Sequence, residues 1–329
     1  MLYSPFATPF IELLVEAFVY TGGARTNFIG GQFATTRKYS AEEGDLVLSV
    51  DHVDTVRGIA VDQAGNFYTG GVRVGNVVTT RKYDSAGNLI WSVDHLALVL
   101  GIAVDQNGFV YTGGLRTDTI GGEFVTTRKY DSNGTLIWLV DHGDTVQAVA
   151  VDQNGFVYTG GRRSDSLTTR KYDSDGNLIW SVDHNGTVNG VAVDQAGNVY
   201  TGGIRTLFRT TRKYDSDGNL IWSVDHSTTV LAIAVDQNGN VYTGGFRTDN
   251  VTTRKYNSDG NLIWSRDHGT TVRGVAVDQD GFVYTVGDTA NNVTTRKYDS
   301  NGTLIWSVNH GALVFGVDTF PPNKGAFLS

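Results

Sequence analysis

Residues 168–203 read TTRKYDSDGNLIWSVDH, then NGTVN, then GVAVDQAGNVYTGG, and versions of this text recur along the whole chain. The block Thr-Thr-Arg-Lys-Tyr begins at Thr35, Thr79, Thr126, Thr168, Thr210, Thr252 and Thr294, at spacings of 44, 47, 42, 42, 42 and 42 residues. Self-similarity at such a period marks stacked or ring-closed repeats. Each unit holds four short β-favouring runs separated by turn chemistry. Val191-Ala192-Val193 precedes the turn Asp194-Gln195-Ala196-Gly197-Asn198, and Val199-Tyr200-Thr201 is stopped by Gly202-Gly203. Thr168–Tyr172 and Leu178–Val182 flank Asp173-Ser174-Asp175-Gly176-Asn177. Four strands of this length joined by Gly-bearing hairpins make one propeller blade. No segment has helical periodicity long enough for a crossover helix. The expected fold is all-β: a seven-bladed β-propeller of four-stranded antiparallel blades.

Naming the strands A to D from the axis outward, Phe18–Gly23 is a B strand with no A–B hairpin before it. Leu313–Asp318 matches an A strand with nothing after it. The C-terminal strand should therefore complete blade 1 and close the ring, leaving no unpaired inner edge. This divides the chain into an N-terminal extension (1–16), the propeller (17–318) and a tail (319–329). The A–B and C–D turns, nearly identical in every unit, share one face of the disc. The B–C loops and D–A links, which vary, share the other. Variable loops on a rigid scaffold are where binding concentrates.

Composition narrows the function. The chain has 329 residues, a formal charge of −8, 41 Gly, 4 Pro and no Cys. An acidic chain lacks the basic footprint for nucleic acid. Nothing approaches the ~20 apolar residues of a membrane-spanning helix. Met1–Glu16 has no cationic n-region and no small-residue cleavage site, so no Sec-type signal peptide is expected. The compartment stays open, with a virion or the cytoplasm most compatible. Without Cys there is no disulfide framework, thiolate metal site or Cys nucleophile.

The GIAVDQxGNVYTGG half of the unit resembles the repeats of NHL-type and SBBP (seven-bladed propeller repeat) proteins. The KYDSDGNLIWS half resembles the repeat of PQQ-like quinoprotein propellers. Together the resemblance covers roughly residues 17–318 and implies a propeller. Quinoprotein cofactor sites typically include adjacent cysteines, which this chain lacks, so no cofactor is expected.

The repeated side chains read as structure. His52, His95, His142, His184, His226, His268 and His310 each follow Asp, or Asn309. A carboxylate can orient an imidazole for base work, but seven copies single out none. They should tie the end of strand D to a neighbour, and sevenfold spacing keeps them too far apart to share a metal ion. Counting outward from the C–D turn places Arg170 opposite Trp180, so Arg81, Arg128, Arg170, Arg212, Arg254 and Arg296 should stack on Trp91, Trp138, Trp180, Trp222, Trp264 and Trp306; blade 1 has Leu48 instead of Trp. The arginines two positions after Gly-Gly should pair with the Asp of Asp-His. Asp173-Ser174-Asp175-Gly176 resembles the start of a calcium loop but lacks the distant closing Glu, and reads as a hairpin turn.

Singular residues are the candidates for function. Blade 1 inserts a loop with Phe28, Ile29 and Phe33, and blade 3 a similar one with Ile120 and Phe124. Phe6, Phe10, Ile11 and Phe327 lie in apolar ends outside the repeats. The expected function is a non-catalytic interaction or scaffold propeller presenting its variable loop face, such as a structural or receptor-binding component of a virus particle or other large assembly. Its partner is then a protein of that assembly or a glycan on a cell surface. The alternatives are a lectin with repeated inter-blade sugar sites near Arg and Trp, and, least favoured, an enzyme, for which the sequence offers no singular polar cluster.

Overall fold

A computed structural model describes residues 16–24, 28–29, 32–33, 35–52, 55–72, 79–94, 97–120, 123–162, 168–206, 209–249, 251–290, 293–309 and 312–320. These residues form seven four-stranded antiparallel sheets and one two-stranded ribbon. In order A to D, blade 1 consists of Val314–Phe320, Phe18–Gly23, Thr36–Ser40 and Leu46–Val50. Blade 2 is Val56–Val61, Phe67–Gly71, Thr80–Tyr83 and Leu89–Val93; blade 3 is Val99–Val104, Val110–Ile120, Glu123–Tyr130 and Leu136–Val140. Blade 4 is Val146–Val151, Val157–Gly161, Thr169–Tyr172 and Leu178–Val182; blade 5 is Val188–Val193, Val199–Thr206, Arg209–Tyr214 and Leu220–Val224. Blade 6 is Val230–Val235, Val241–Thr248, Val251–Tyr256 and Leu262–Arg266; blade 7 is Val272–Val277, Val283–Ala290, Val293–Tyr298 and Leu304–Val308. Each A strand packs beside the A strands of both neighbouring blades, in a closed cycle around the axis.

Burial falls from axis to rim. Strand B of blade 4 is buried at every residue, whereas Leu178 and Ile179, which open its D strand, are half exposed. The cores lie between blades. One cluster joins Ala148, Ala150 and Tyr158 of blade 4 to Val188, Val191, Val193 and Tyr214 of blade 5. Such close stacking explains the first glycine of Gly-Gly: a β-carbon on Gly202 would lie 2.5 Å from Val230 Cγ1 of the next blade. In the C–D turn Gly176 has φ +87°, a left-handed conformation that favours glycine. Asp173 Oδ1 caps that turn, accepting the N–H groups of Asp175 and Asn177 at 3.0 and 2.8 Å.

The ring closes through the C-terminal strand. Phe18 pairs with Phe320, Tyr20 with Asp318 and Gly22 with Gly316, and Gly23 meets Val314 after a bulge. The strand runs to Phe320, two residues past the Asp318 suggested by the repeat, and Phe320 stacks on Phe18 with centroids 6.4 Å apart. Val314 and Val317 enter the cluster that joins blades 6, 7 and 1.

Ending the chain at Gly311 removes two buried valines and one side of the Phe18–Gly23 ladder, a loss of roughly 3–6 kcal/mol from the valines alone. Thermal unfolding should show a midpoint at least several degrees below that of the full chain. An unchanged midpoint would rule out closure by this strand.

Candidate functional site

The C–D hairpin carries a β-bulge that shifts its register by one. Tyr172 pairs with Leu178, Lys171 with Trp180 and Arg170 with Ser181. The expected Arg–Trp stack is therefore wrong: lysine, not arginine, lies opposite tryptophan. Trp180 Nε1 and Lys171 Nζ both donate to the Ser216 carbonyl in the C–D turn of the next blade, at 2.9 and 3.0 Å. Lys171 Nζ also sits 4.5 Å from the Phe156 ring centroid. The pattern passes around the disc. Trp91 and Lys82 reach Ser132, Trp264 and Lys255 reach Ser300, and Trp306 and Lys297 cross the seam to Ala41. In blade 1, which lacks the tryptophan, Lys38 alone reaches Ser85, and Leu48 packs where Gly87 approaches.

The arginines and histidines occupy the opposite side of the same sheets. His184 donates its backbone N–H to Thr168 Oγ1 at 2.8 Å, and its Nδ1 meets Thr201 Oγ1 of the next blade at 2.9 Å. Arg212 of that next blade returns a hydrogen bond to the Asp183 carbonyl at 2.9 Å. His52, His142, His226 and His268 make the same inter-blade contact, to Thr69, Thr159, Thr243 and Thr285. His95 and His310 lie outside the described residues. Burial, reinforced by the neighbouring arginine, pushes the imidazoles of His52, His184, His226 and His268 down to about 3. They are neutral struts. The preceding aspartates cap their own turns: Asp183 Oδ1 accepts the Asn185 N–H at 2.7 Å. One loop arginine is described with its partner, Arg247 to Asp267 at 2.7 Å on the surface.

Of the singular residues singled out in the sequence, Phe6, Phe10, Ile11 and Phe327 lie outside the described residues. The two insertions are β-hairpins. Phe28–Ile29 pairs with Gln32–Phe33, and in blade 3 Asp118, Thr119 and Ile120 pair with Val125, Phe124 and Glu123, extending strands B and C beyond the disc.

A site that sequence reasoning missed lies on the axis. The second residue of each A strand lines one central cavity of about 160 Å³: Arg57, Leu100, Gln147, Asn189, Leu231, Arg273 and Phe315. The flanking positions hardly change from blade to blade, whereas this one carries five residue types in seven places. Because the A strands enter from the D–A links, the ring sits at the mouth of the channel on the variable face. The signal was present in the sequence. Of 26 Lys and Arg, 14 lie in Thr-Thr-Arg-Lys-Tyr blocks and six follow Gly-Gly, leaving six that do not repeat, among them Arg57 and Arg273. Both guanidinium groups lie against Phe315, with carbons 4.1 and 5.4 Å from the ring centroid. Arg273 is ion-paired with Asp288 through Nε. Arg57 Nε is buried and has no hydrogen-bond partner among the described residues. Burial and repulsion from Arg273 both lower the Arg57 pKa.

The closing strand carries a second singularity. Asp318 pairs with Tyr20 at the register position that Ala192 holds opposite Tyr200 in blade 5. Its Oδ2 accepts the Val61 N–H of blade 2 and its Oδ1 the Thr319 N–H, each at 2.8 Å. It retains a little solvent contact, yet packing on all sides pushes its carboxyl up to about 7 against the pull of those two donors.

A family model of the β-propeller repeat SBBP matches residues 266–293, which run from the end of blade 6 through the A–B hairpin of blade 7. The chain is a tandem-repeat β-propeller. No curated protein matches it. Among solved structures, the propeller is similar to a functionally unknown protein from Desulfotomaculum acetoxidans (TM-score 0.71, 12% identity, 92% of this chain and 98% of that one). It is also similar to a chain of a mitotic checkpoint complex (TM-score 0.63, 15% identity, 85% and 90%). A third is a protein of unknown function from Bacteroides caccae (TM-score 0.53, 11% identity, 77% and 94%). At these identities the likeness is one of fold alone.

Two pH effects of opposite sign follow. Folded-state histidine pKa values below the ordinary 6.5 mean that stability is complete above that pH and is lost as pH falls towards about 3. Each such histidine should cost about 2 kcal/mol at pH 5, so the unfolding midpoint should drop steeply between pH 7 and 5; a flat profile would contradict the neutral-strut reading. Asp318 is raised, so its contribution is intact below about pH 4 and lost as pH rises through 7. Asp318→Asn should match the parent chain at pH 4 and unfold at a higher temperature than the parent at pH 8.5. A constant difference between the two would show that ionisation of Asp318 is not the cause.

Proposed function

We propose that this propeller is a non-catalytic binding scaffold that engages a partner through its variable face, centred on the channel mouth. The observation that carries this reading is the ring of Arg57, Leu100, Gln147, Asn189, Leu231, Arg273 and Phe315. A contact with one specific partner needs asymmetry, and this is where near-identical blades differ. The hairpin extensions of blades 1 and 3 rise from the same face and widen the surface. The repeated turn face is generic by comparison.

Membership of a large assembly, such as a virus particle, is supported by the rim. Each D strand presents an apolar pair in its outward bulge, from Leu89 and Ile90 to Leu304 and Ile305, all about half exposed. Apolar surface repeated around a disc suits lateral contact with other subunits. Two observations weigh against the sugar-binding alternative: the Trp180 indole N–H is committed to Ser216, and Arg212 to Asp183 of the neighbouring blade.

The test is to isolate the chain from its source under mild conditions, size it, and map amide exchange before and after stripping partners. The expected result is a particle well above 35.6 kDa, with protection at residues 56–57, 118–125 and 272–273. A lone monomer, or protection confined to the Asp-Ser-Asp-Gly turns, would contradict the proposal.

A further inference from the structure

We infer that the channel mouth is a carboxylate-binding site in which Arg57 receives the anion over the Phe315 ring. The inference rests on the binding role proposed above and specifies its ligand chemistry. The site brings together groups from the three consecutive blades at the ring's seam: Arg273 from blade 7, Phe315 from blade 1 and Arg57 from blade 2. Two like charges gathered on one ring repel each other, and the fold offsets only one of them, by pairing Arg273 with Asp288. Asp288 is itself singular. It stands directly after Gly287, where blade 5 has Ile204 after Gly203, so the pair departs from the repeat at both ends.

Arg57 is left with its planar fork against an aromatic face and its Nε unpartnered among the described residues. A guanidinium held over a ring face directs its N–H groups outward in its own plane, where a planar carboxylate can accept two parallel hydrogen bonds. The charge balance selects the class of anion. Two guanidinium groups and one carboxylate leave a single positive charge, which a monoanionic carboxylate neutralises and a phosphate dianion overshoots. Size narrows it further. A cavity of about 160 Å³ admits a group of roughly benzene size. Leu100 and Leu231 provide apolar wall for the body of such a ligand, and Gln147 an amide. The carboxylate could be free, as a small organic acid, or borne on an acidic side chain of a protein partner.

Isothermal titration of the whole chain with benzoate tests this, with benzamide and inorganic phosphate as controls. Benzoate should bind with a dissociation constant of about 1 mM, as expected for so small a ligand. Benzamide should not bind, and phosphate should bind more weakly than benzoate. Arg57→Gln should weaken benzoate at least tenfold with its unfolding midpoint preserved. Asp288→Asn removes the competing carboxylate and should tighten benzoate several-fold, an opposite effect that damage to the fold cannot mimic. A capped tripeptide with a central glutamate, compared with its glutamine version, separates the sources: binding of the glutamate peptide supports a partner's side chain, and binding of benzoate alone supports a free acid. Absence of benzoate binding at 10 mM, phosphate binding more tightly than benzoate, or an Arg57→Gln chain that binds as well as the parent would overturn the inference. Any of these could occur while the variable face still protects amides in the native assembly, so this failure is separable from failure of the binding role.

Discussion

A single backbone carbonyl per blade holds the disc together. At six of the seven interfaces the C–D turn of one blade offers its carbonyl to a tryptophan indole and a lysine ammonium of the blade before it, as Ser216 does for Trp180 and Lys171. At the interface of blades 1 and 2 it offers it to Lys38 alone. Each bond is worth about 1 kcal/mol net, somewhat more where the donor is charged. The interaction demands much of the sequence around it. The turn must be tight, hence Asp173 as cap and Gly176 in the left-handed region, and Gly176 must also admit Trp138, whose ring lies 3.1 Å from where a β-carbon would stand. The hairpin must bulge so that Trp180 and Lys171 meet side by side, and the bulge turns Leu178 and Ile179 outward. Much of the unit is thereby committed to making a neighbour fit.

That commitment explains where variation survives. In six of the seven blades a side chain on the first glycine of strand B would collide with the next A strand, and the buried histidines and arginines bridge blades. The second residue of strand A faces the channel and meets no such constraint. Differences therefore collect there and in the B–C loops, both on one face. They are greatest at blades 7, 1 and 2, where the ring is joined by a strand from the far end of the chain. Val286 replaces the first glycine of Gly-Gly, Asp288 replaces an apolar residue, and Asp318 replaces an alanine, all within this seam.

The fold was legible because the period, the four runs per unit and the orphan strands at both ends all point to one closed ring. Two features were not. Counting back from the C–D turn put Arg170 against Trp180, but the bulge at Lys171/Tyr172 is set by packing against the next blade, which no single repeat reveals. The channel ring leaves no mark on the repeat length, because Arg57 and Arg273 are substitutions and not insertions. Subtracting the repeated cations from the total would have exposed them. Phe28, Ile29, Phe33, Ile120 and Phe124 were legible as insertions, and their backbone forms hairpins on the variable face.

If the repeated residues build the disc and the channel ring carries recognition, the two roles can be separated by mutation. That separation is tested most directly by one symmetrised chain, in which Arg57, Leu100, Gln147, Leu231, Arg273 and Phe315 are all changed to the asparagine that blade 5 has at Asn189. Its unfolding midpoint and its incorporation into the native particle should be measured together. The account predicts a midpoint within a few degrees of the parent and loss of incorporation. A symmetrised chain that fails to fold, or that folds and is incorporated like the parent, would contradict it.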